Sequence, residues 1–131
     1  MEWIVERDYA REALPKRDPE GHKGSFGEVL ALAGSAGYTG AAWLTAEGAV
    51  RGGCGSVHLG VPEDIWPVEA VKCTSAMPFP LAAEDGGLCL RALEGIRERL
   101  SRCDVLALGP GLGRRAETAE LVRQLLSETE K

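Results

Sequence analysis

The stretch LALAGSAGYTGAAWLTAEGAV, from Leu30 to Val50, constrains the fold more than any other part of the chain. It opens as an apolar run, breaks into glycines at Gly34, Gly37 and Gly40, and closes rich in alanine. A short apolar run that ends in glycine reads as a buried strand, here over Glu28 to Ala33. The alanine-rich half reads as a helix from Gly40 to Arg51, stopped by Gly52, Gly53 and Gly55. Ser56 to Val61 is a second short strand, ended by Pro62. Asp104 to Leu108, DVLAL, is a third, and GPGLG follows it directly.

The other segments are less regular. Trp3 to Leu14 reads as a short helix with Asp8 as candidate N-cap, and Pro15 and Pro19 bracket a polar connection after it. PEDIWPVEA holds a short helical turn. VKCTSAMPFPL is extended or loop, because Pro78 and Pro80 exclude both a helix interior and a central strand. LCLRALEGIRERLSR places Leu88, Leu90, Leu93, Ile96 and Leu100 close to helical spacing, with Gly95 weakening the helix by about 1 kcal/mol relative to alanine. ETAELVRQLLSETEK is an amphipathic helix with Leu121, Val122, Leu125 and Leu126 on one side.

Strands that alternate with helices, and that are apolar on nearly every residue, predict an α/β domain with a mostly parallel sheet covered on both faces. The 131 residues suit one domain. Three clear strands make a small sheet, and no strand returns after the last helix, so the expected architecture is truncated: a fragment or half of a larger domain.

Charge and composition exclude several classes. A net charge of −5 is not the basic footprint of a nucleic-acid binder. No apolar run approaches the roughly 20 residues that span a bilayer. The first residues lack the basic-then-apolar order of a signal peptide, which points to the cytoplasm. Cys54, Cys73, Cys89 and Cys103 lie 19, 16 and 14 positions apart, form no C-x-x-C motif, and are expected as free buried thiols.

The chemistry rests on two glycine turns. Gly34 to Gly40 has the spacing G-x-x-G-x-x-G, which is neither the dinucleotide motif nor the phosphate loop, and no lysine follows. The exposed amides of the helix behind it favour an anion all the same. A tight turn that only packs the helix close to the sheet is the plain alternative. Glu63 lies just past the second strand, where a Rossmann fold keeps its ribose-binding acid. The second turn, Gly109 to Gly113, follows the third strand at the end where open α/β sheets bind ligands. Arg114 and Arg115 after it are either phosphate contacts or a solvated helix start. His22-Lys23-Gly24 is either an anion site or a solvated loop, and His58 inside an apolar strand reads as a packed residue.

Three motifs taken together, HKGSFG at 22–27, AGSAGYTGAA at 33–42 and GPGLG at 109–113, closely resemble those of the ADP- or ATP-dependent NAD(P)H-hydrate dehydratases. The resemblance runs over nearly all of the chain. It implies a ribokinase-like three-layer α/β/α fold, with an N-terminal helix and connection over 1–21 and the α/β core over 22–131. It implies repair of the S-form of NAD(P)H hydrate: ADP or ATP phosphorylates the added hydroxyl, and phosphate leaves to restore the nicotinamide. Mg2+ is implied with the nucleotide, as are a homo-oligomer and an epimerase working on the same substrate. By motif, Ala42 and Gly111 touch the hydrated dinucleotide. Gly40, Ala41, Pro110, Leu112 and Gly113 line the same crevice, and His22 and Lys23 lie near it.

The chain also departs from the family. The catalytic aspartate of the family stands in a G-x-G-D motif, and no glycine here is followed by aspartate. The resemblance therefore implies substrate-side walls without the catalytic group, and a fragment inactive by itself. Other readings are a sugar or vitamin kinase of the same fold and a non-catalytic dinucleotide-binding module.

Overall fold

The computed structural model describes residues 4–129. Helix α1 (Arg7–Ala13) buries no residue. A one-turn 3-10 helix at Lys23–Phe26 leads into strand β1 (Glu28–Leu32), which feeds α2 (Thr39–Gly52). Then come β2 (Ser56–Pro62), α3 (Trp66–Lys72) and β3 (Met77–Leu81). A two-residue hairpin of β4 (Ala83–Glu84) and β5 (Gly87–Leu88) precedes α4 (Leu93–Leu100), β6 (Val105–Leu108) and α5 (Ala116–Glu128).

The main sheet is parallel throughout, in the order β3-β2-β1-β6. Successive residues of β1 serve opposite faces. Leu30 and Leu32 join a core with Leu93, Ile96 and Leu100 of α4 and Leu121 and Leu125 of α5. Ala31 and Ala33 join the other core with Ala42 and Ala46 of α2 and with Val57, Leu59 and Val61 of β2. The second interface is made of alanine on both sides along β1 and α2, so that helix packs close to the strand that precedes it. Two helical layers thus enclose one parallel sheet, the expected three-layer arrangement. Among the described residues no helix is long and apolar enough to cross a membrane.

The two prolines of β3 explain its place. Pro78 pairs in register with Leu59, yet its carbonyl accepts a hydrogen bond from the Trp66 indole N–H at 3.1 Å on the outer side. Its ring nitrogen, pointing the same way, leaves no missing bond in the ladder. The segment read as extended is an edge strand, where proline is tolerated.

Several boundaries differ from the sequence reading. Asp8 lies within the first turn of α1, whose N-cap position is Glu6, and Trp3 lies outside the described residues. Helix α4 begins at Leu93, because Leu88 is taken up by β5 and Leu90–Ala92 form a 3-10 turn. The buried stripe of α5 is Thr118, Leu121 and Leu125, whereas Leu126 is 60% exposed. One further step of about 100° around the helix carries Leu126 off that stripe. No disulfide joins the four cysteines; Cys89 and Cys103 are buried as expected, whereas Cys54 and Cys73 are only partly buried. Burial pushes the thiols of Cys54 and Cys73 up.

These assignments separate two leucine-type positions sharply. Ile96→Ala, in the centre of the α4–α5 core, is expected to lower unfolding free energy by about 2–5 kcal/mol in urea denaturation. Leu126→Ala is expected to stay within about 0.5 kcal/mol of the parent.

Candidate functional site

The parallel sheet sends β1 and its neighbour β6 out at the same end, so the turns after them emerge side by side. The backbone of one turn bonds to the other. Gly34 N–H donates to Pro110 O at 2.8 Å, and the Ser35 hydroxyl donates to Gly111 O at 2.7 Å. Gly109 N–H donates to Leu32 O at 3.1 Å and extends the ladder into the turn. A Cβ built on Gly111 would lie 2.5 Å from the Ala41 Cβ and 3.4 Å from the Gly34 Cα, with φ at +70°. A Cβ on Gly34 would lie 2.8 Å from the Ala42 Cβ, with φ at +82°. Both positions require glycine twice over, for backbone conformation and for space.

The first turn of α2 overhangs this junction. Its N-cap, Tyr38, makes no side-chain cap, so the leading amides of a 14-residue helix keep their partial positive charge. Gly40 faces open space, with no atom within 4 Å of a Cβ placed there. Beneath the helix, Lys72 Nζ donates to Thr39 O at 3.1 Å and stands 3.4 Å from the carboxylate of fully buried Glu69. This pair ties the start of α2 to α3.

A third piece arrives from the hairpin. Asp85 and Gly86 turn it with φ of +46° and +75°, and Gly86 O accepts from Ala36 N–H at 2.8 Å. Arg115 reaches back to Asp85 at 3.4 Å and to Glu84 at 4.0 Å. Thr118, buried in α5, donates to Leu88 O at 2.7 Å. The hairpin is thereby fixed between the first glycine turn and the start of α5. It is absent from the sequence reading, although Asp-Gly flanked by extended residues is its signature.

The predicted site residues divide into three groups. Gly40, Ala41, Pro110, Gly111 and Gly113 come together around the junction, with Gly40, Pro110 and Gly113 exposed. Ala42 and Leu112 come to the same place but are buried, Ala42 under Gly34 and Leu112 in the α4–α5 core. His22 and Lys23 are not brought there. Their 3-10 turn precedes β1 and packs on Gly55 before β2, where a Cβ would overlap the Lys23 carbonyl. The five residues of β1, about 15 Å of strand, separate them from the junction. His22 instead caps its own turn, accepting from Gly24 N–H at 3.1 Å. Glu63 is likewise engaged, its carboxylate accepting from Ala83 N–H at 3.4 Å.

Residues 29–131 match the family model of the NAD(P)H-hydrate dehydratases. The chain is 44% identical over 119 residues to a bifunctional NAD(P)H-hydrate repair enzyme of Moorella thermoacetica, covering 90% of this chain and 22% of that one. It is 33% identical over 120 residues to the ADP-dependent (S)-NAD(P)H-hydrate dehydratase of Bacillus subtilis, covering 92% of this chain and 41% of that one. Among solved structures, a ribokinase-like superfamily protein of Enterococcus faecalis superposes with a TM-score of 0.79 at 21% identity, over 97% of this chain and 42% of that one. The ADP/ATP-dependent NAD(P)H-hydrate dehydratase of Bacillus subtilis, co-crystallised with ATP and Mg2+, superposes with a TM-score of 0.66 at 28% identity, over 92% of this chain and 40% of its own. The chain belongs to the NAD(P)H-hydrate dehydratase family and spans between about a fifth and two-fifths of these relatives.

The described residues do not fit a magnesium–nucleotide centre. Mg2+ takes clustered oxygen ligands, usually one or two carboxylates with phosphates. Among the described residues no group of three candidate ligands lies at the junction, and three carboxylates near it are already engaged: Asp85 with Arg115, Glu63 with Ala83 N–H, and Glu117 with Leu90 N–H at 3.0 Å.

The junction predicts opposite outcomes for two glycines. Gly111→Ala is expected to force the turns apart and to cost about 1–3 kcal/mol in thermal or urea unfolding. Gly40→Ala, with open space around it on a helix, is expected to be neutral or to stabilise by up to about 1 kcal/mol.

Proposed function

With family membership as the premise, we propose that residues 22–131 are the substrate-side half of an NAD(P)H-hydrate dehydratase domain. The observation that carries this is the glycine-on-glycine junction between the turns after β1 and β6. It leaves a surface of backbone and small side chains, Gly40, Ala41, Pro110, Gly111 and Gly113, against which a flat nicotinamide nucleotide can lie. The uncapped start of α2 offers its amides to the anionic part of the same molecule. Ala42 and Leu112 act from below, setting the height of the two turns.

In this reading the whole protein is a lyase that uses ADP or ATP to dehydrate the S-form of NAD(P)H hydrate. Phosphoryl transfer is dominated by electrostatic stabilisation of the transferring group. The chain's own residues bind and orient the hydrated nicotinamide nucleotide. We assign neither the catalytic aspartate nor the magnesium–nucleotide contacts to these residues, which span about two-fifths of the Bacillus subtilis dehydratase. We place the protein in the cytoplasm, as a homo-oligomer, acting on the same substrate as an NAD(P)H-hydrate epimerase. That the Moorella thermoacetica relative is a bifunctional repair enzyme supports the last point.

The test uses the complete gene product, assayed for recovery of NADPH absorbance from its hydrate with ADP and Mg2+. Gly40→Ala is expected not to lower the unfolding midpoint and to raise KM for the hydrate about tenfold, the equivalent of about 1.4 kcal/mol of binding. An unchanged KM removes α2 from the substrate site. Phosphorylation of a sugar or hydroxymethylpyrimidine, with the hydrate ignored, overturns the reading altogether.

A further inference from the structure

We propose that Glu28, His58 and Cys103 form a binding site for a zinc-class metal ion at the amino-terminal end of the sheet. One carboxylate oxygen, one imidazole nitrogen and the thiol sulfur all lie within 4.8 Å of one another. His58 Nε2 stands 3.5 Å from Glu28 Oε2. Metal–ligand bonds of about 2.0–2.3 Å at tetrahedral angles put donors about 3.4 Å apart, so this pair is already at ligand spacing.

The topology explains the convergence. His58 pairs in register with Leu30, so Glu28, two residues earlier on β1, is its diagonal neighbour on the same face. That face is the one α4 covers. Cys103 lies in the turn that follows α4 and precedes β6, so it drops onto the same rim. The backbones are locked together before any ion arrives. Glu28 N–H donates to the Asp104 carboxylate at 2.8 Å, and Asp104 N–H donates to Glu28 O at 2.9 Å. Cys103 N–H donates to Leu100 O at 3.2 Å. Such pre-arrangement is what a competent site needs from its supporting structure.

The three side chains also line one surface cavity of about 180 Å³ with Glu98, Arg99 and Arg102. Both arginines of the cavity wall are held by neighbours. Arg99 lies over the Phe79 ring, 3.7 Å from its centroid, and Arg102 pairs with Glu98 at 3.4 Å. The cavity admits water as a fourth ligand. Thiolate, imidazole and carboxylate together select Zn2+ and its neighbours over Mg2+ or Ca2+. On binding, the Cys103 thiol gives its proton to solvent, and thiolate plus carboxylate balance the two charges of the ion. The site lies at the far end of β1 from the glycine junction and does not depend on the proposed function. The ion would pin the starts of β1 and β2 to the turn that leads into β6.

The complete gene product, stripped of metal with a chelator, is titrated with Co2+ and then Zn2+. One equivalent of Co2+ is expected to give a thiolate-to-cobalt band in the near ultraviolet with intense four-coordinate visible bands, and Zn2+ is expected to displace it. Cys103→Ser should abolish the near-ultraviolet band. His58→Ala and Glu28→Gln should each weaken binding at least about tenfold, with the metal-free unfolding midpoint unchanged. Cys73→Ser should leave the titration as it is. His58 is half-buried, so its variant keeps the test decisive should Cys103→Ser not fold. No cobalt–thiolate band in the parent, or a band that survives unchanged in His58→Ala, overturns the proposal.

Discussion

The contact of Gly34 with Gly111 is the constraint on which the rest of the structure depends. Two adjacent parallel strands, β1 and β6, end side by side, and the chain must leave both in different directions. Neighbouring strands are only about 4.8 Å apart, so the two turns compete for the same space. They share it by giving up side chains. A methyl at either glycine would stand within 2.8 Å of an alanine Cβ of α2. The turns then bond across the gap, Gly34 N–H to Pro110 O and the Ser35 hydroxyl to Gly111 O. The alanine face between β1 and α2 is the same economy one layer down, and it sets α2 close enough for its first turn to overhang the junction.

Much of this was legible from residue order. A short apolar run, glycines and an alanine-rich stretch can hardly be anything but a strand, a tight turn and a closely packed helix. Pro78 and Pro80 placed their segment outside the sheet interior, and it forms an edge strand. What escaped was long-range or ambiguous. Leu88 fits the helical spacing of Leu93, Ile96 and Leu100, yet its backbone pairs with Ala83, because Asp85 and Gly86 turn the chain sooner than the helix can begin. Periodicity cannot distinguish these when a turn interrupts the pattern. Leu126 counts as apolar in any tally of α5, but one residue of rotation puts it in solvent.

The site shows the same division. The glycine turns announce themselves because steric need is local. His22 and Lys23 resembled site residues by motif alone, and motif carries no information about which end of a strand a neighbour occupies. They precede β1, and the junction follows it. Conversely, nothing local marks Glu28, His58 and Cys103 as neighbours. They are separated by 30 and 45 positions, and only the parallel register brings them together.

The two ends of the sheet therefore carry different chemistry. The carboxyl end is glycine, alanine and backbone amide, suited to receiving a nucleotide surface, and among the described residues no group of three candidate metal ligands gathers there. The amino end gathers side chains with donor atoms. The most direct test of the carboxyl-end assignment is an amide-resolved NMR titration of the 15N-labelled gene product with NADPH. The account predicts that the largest shifts fall on Gly34–Ala42 and Gly109–Gly113. Shifts confined to His22–Gly27, or none in either glycine turn, would contradict it.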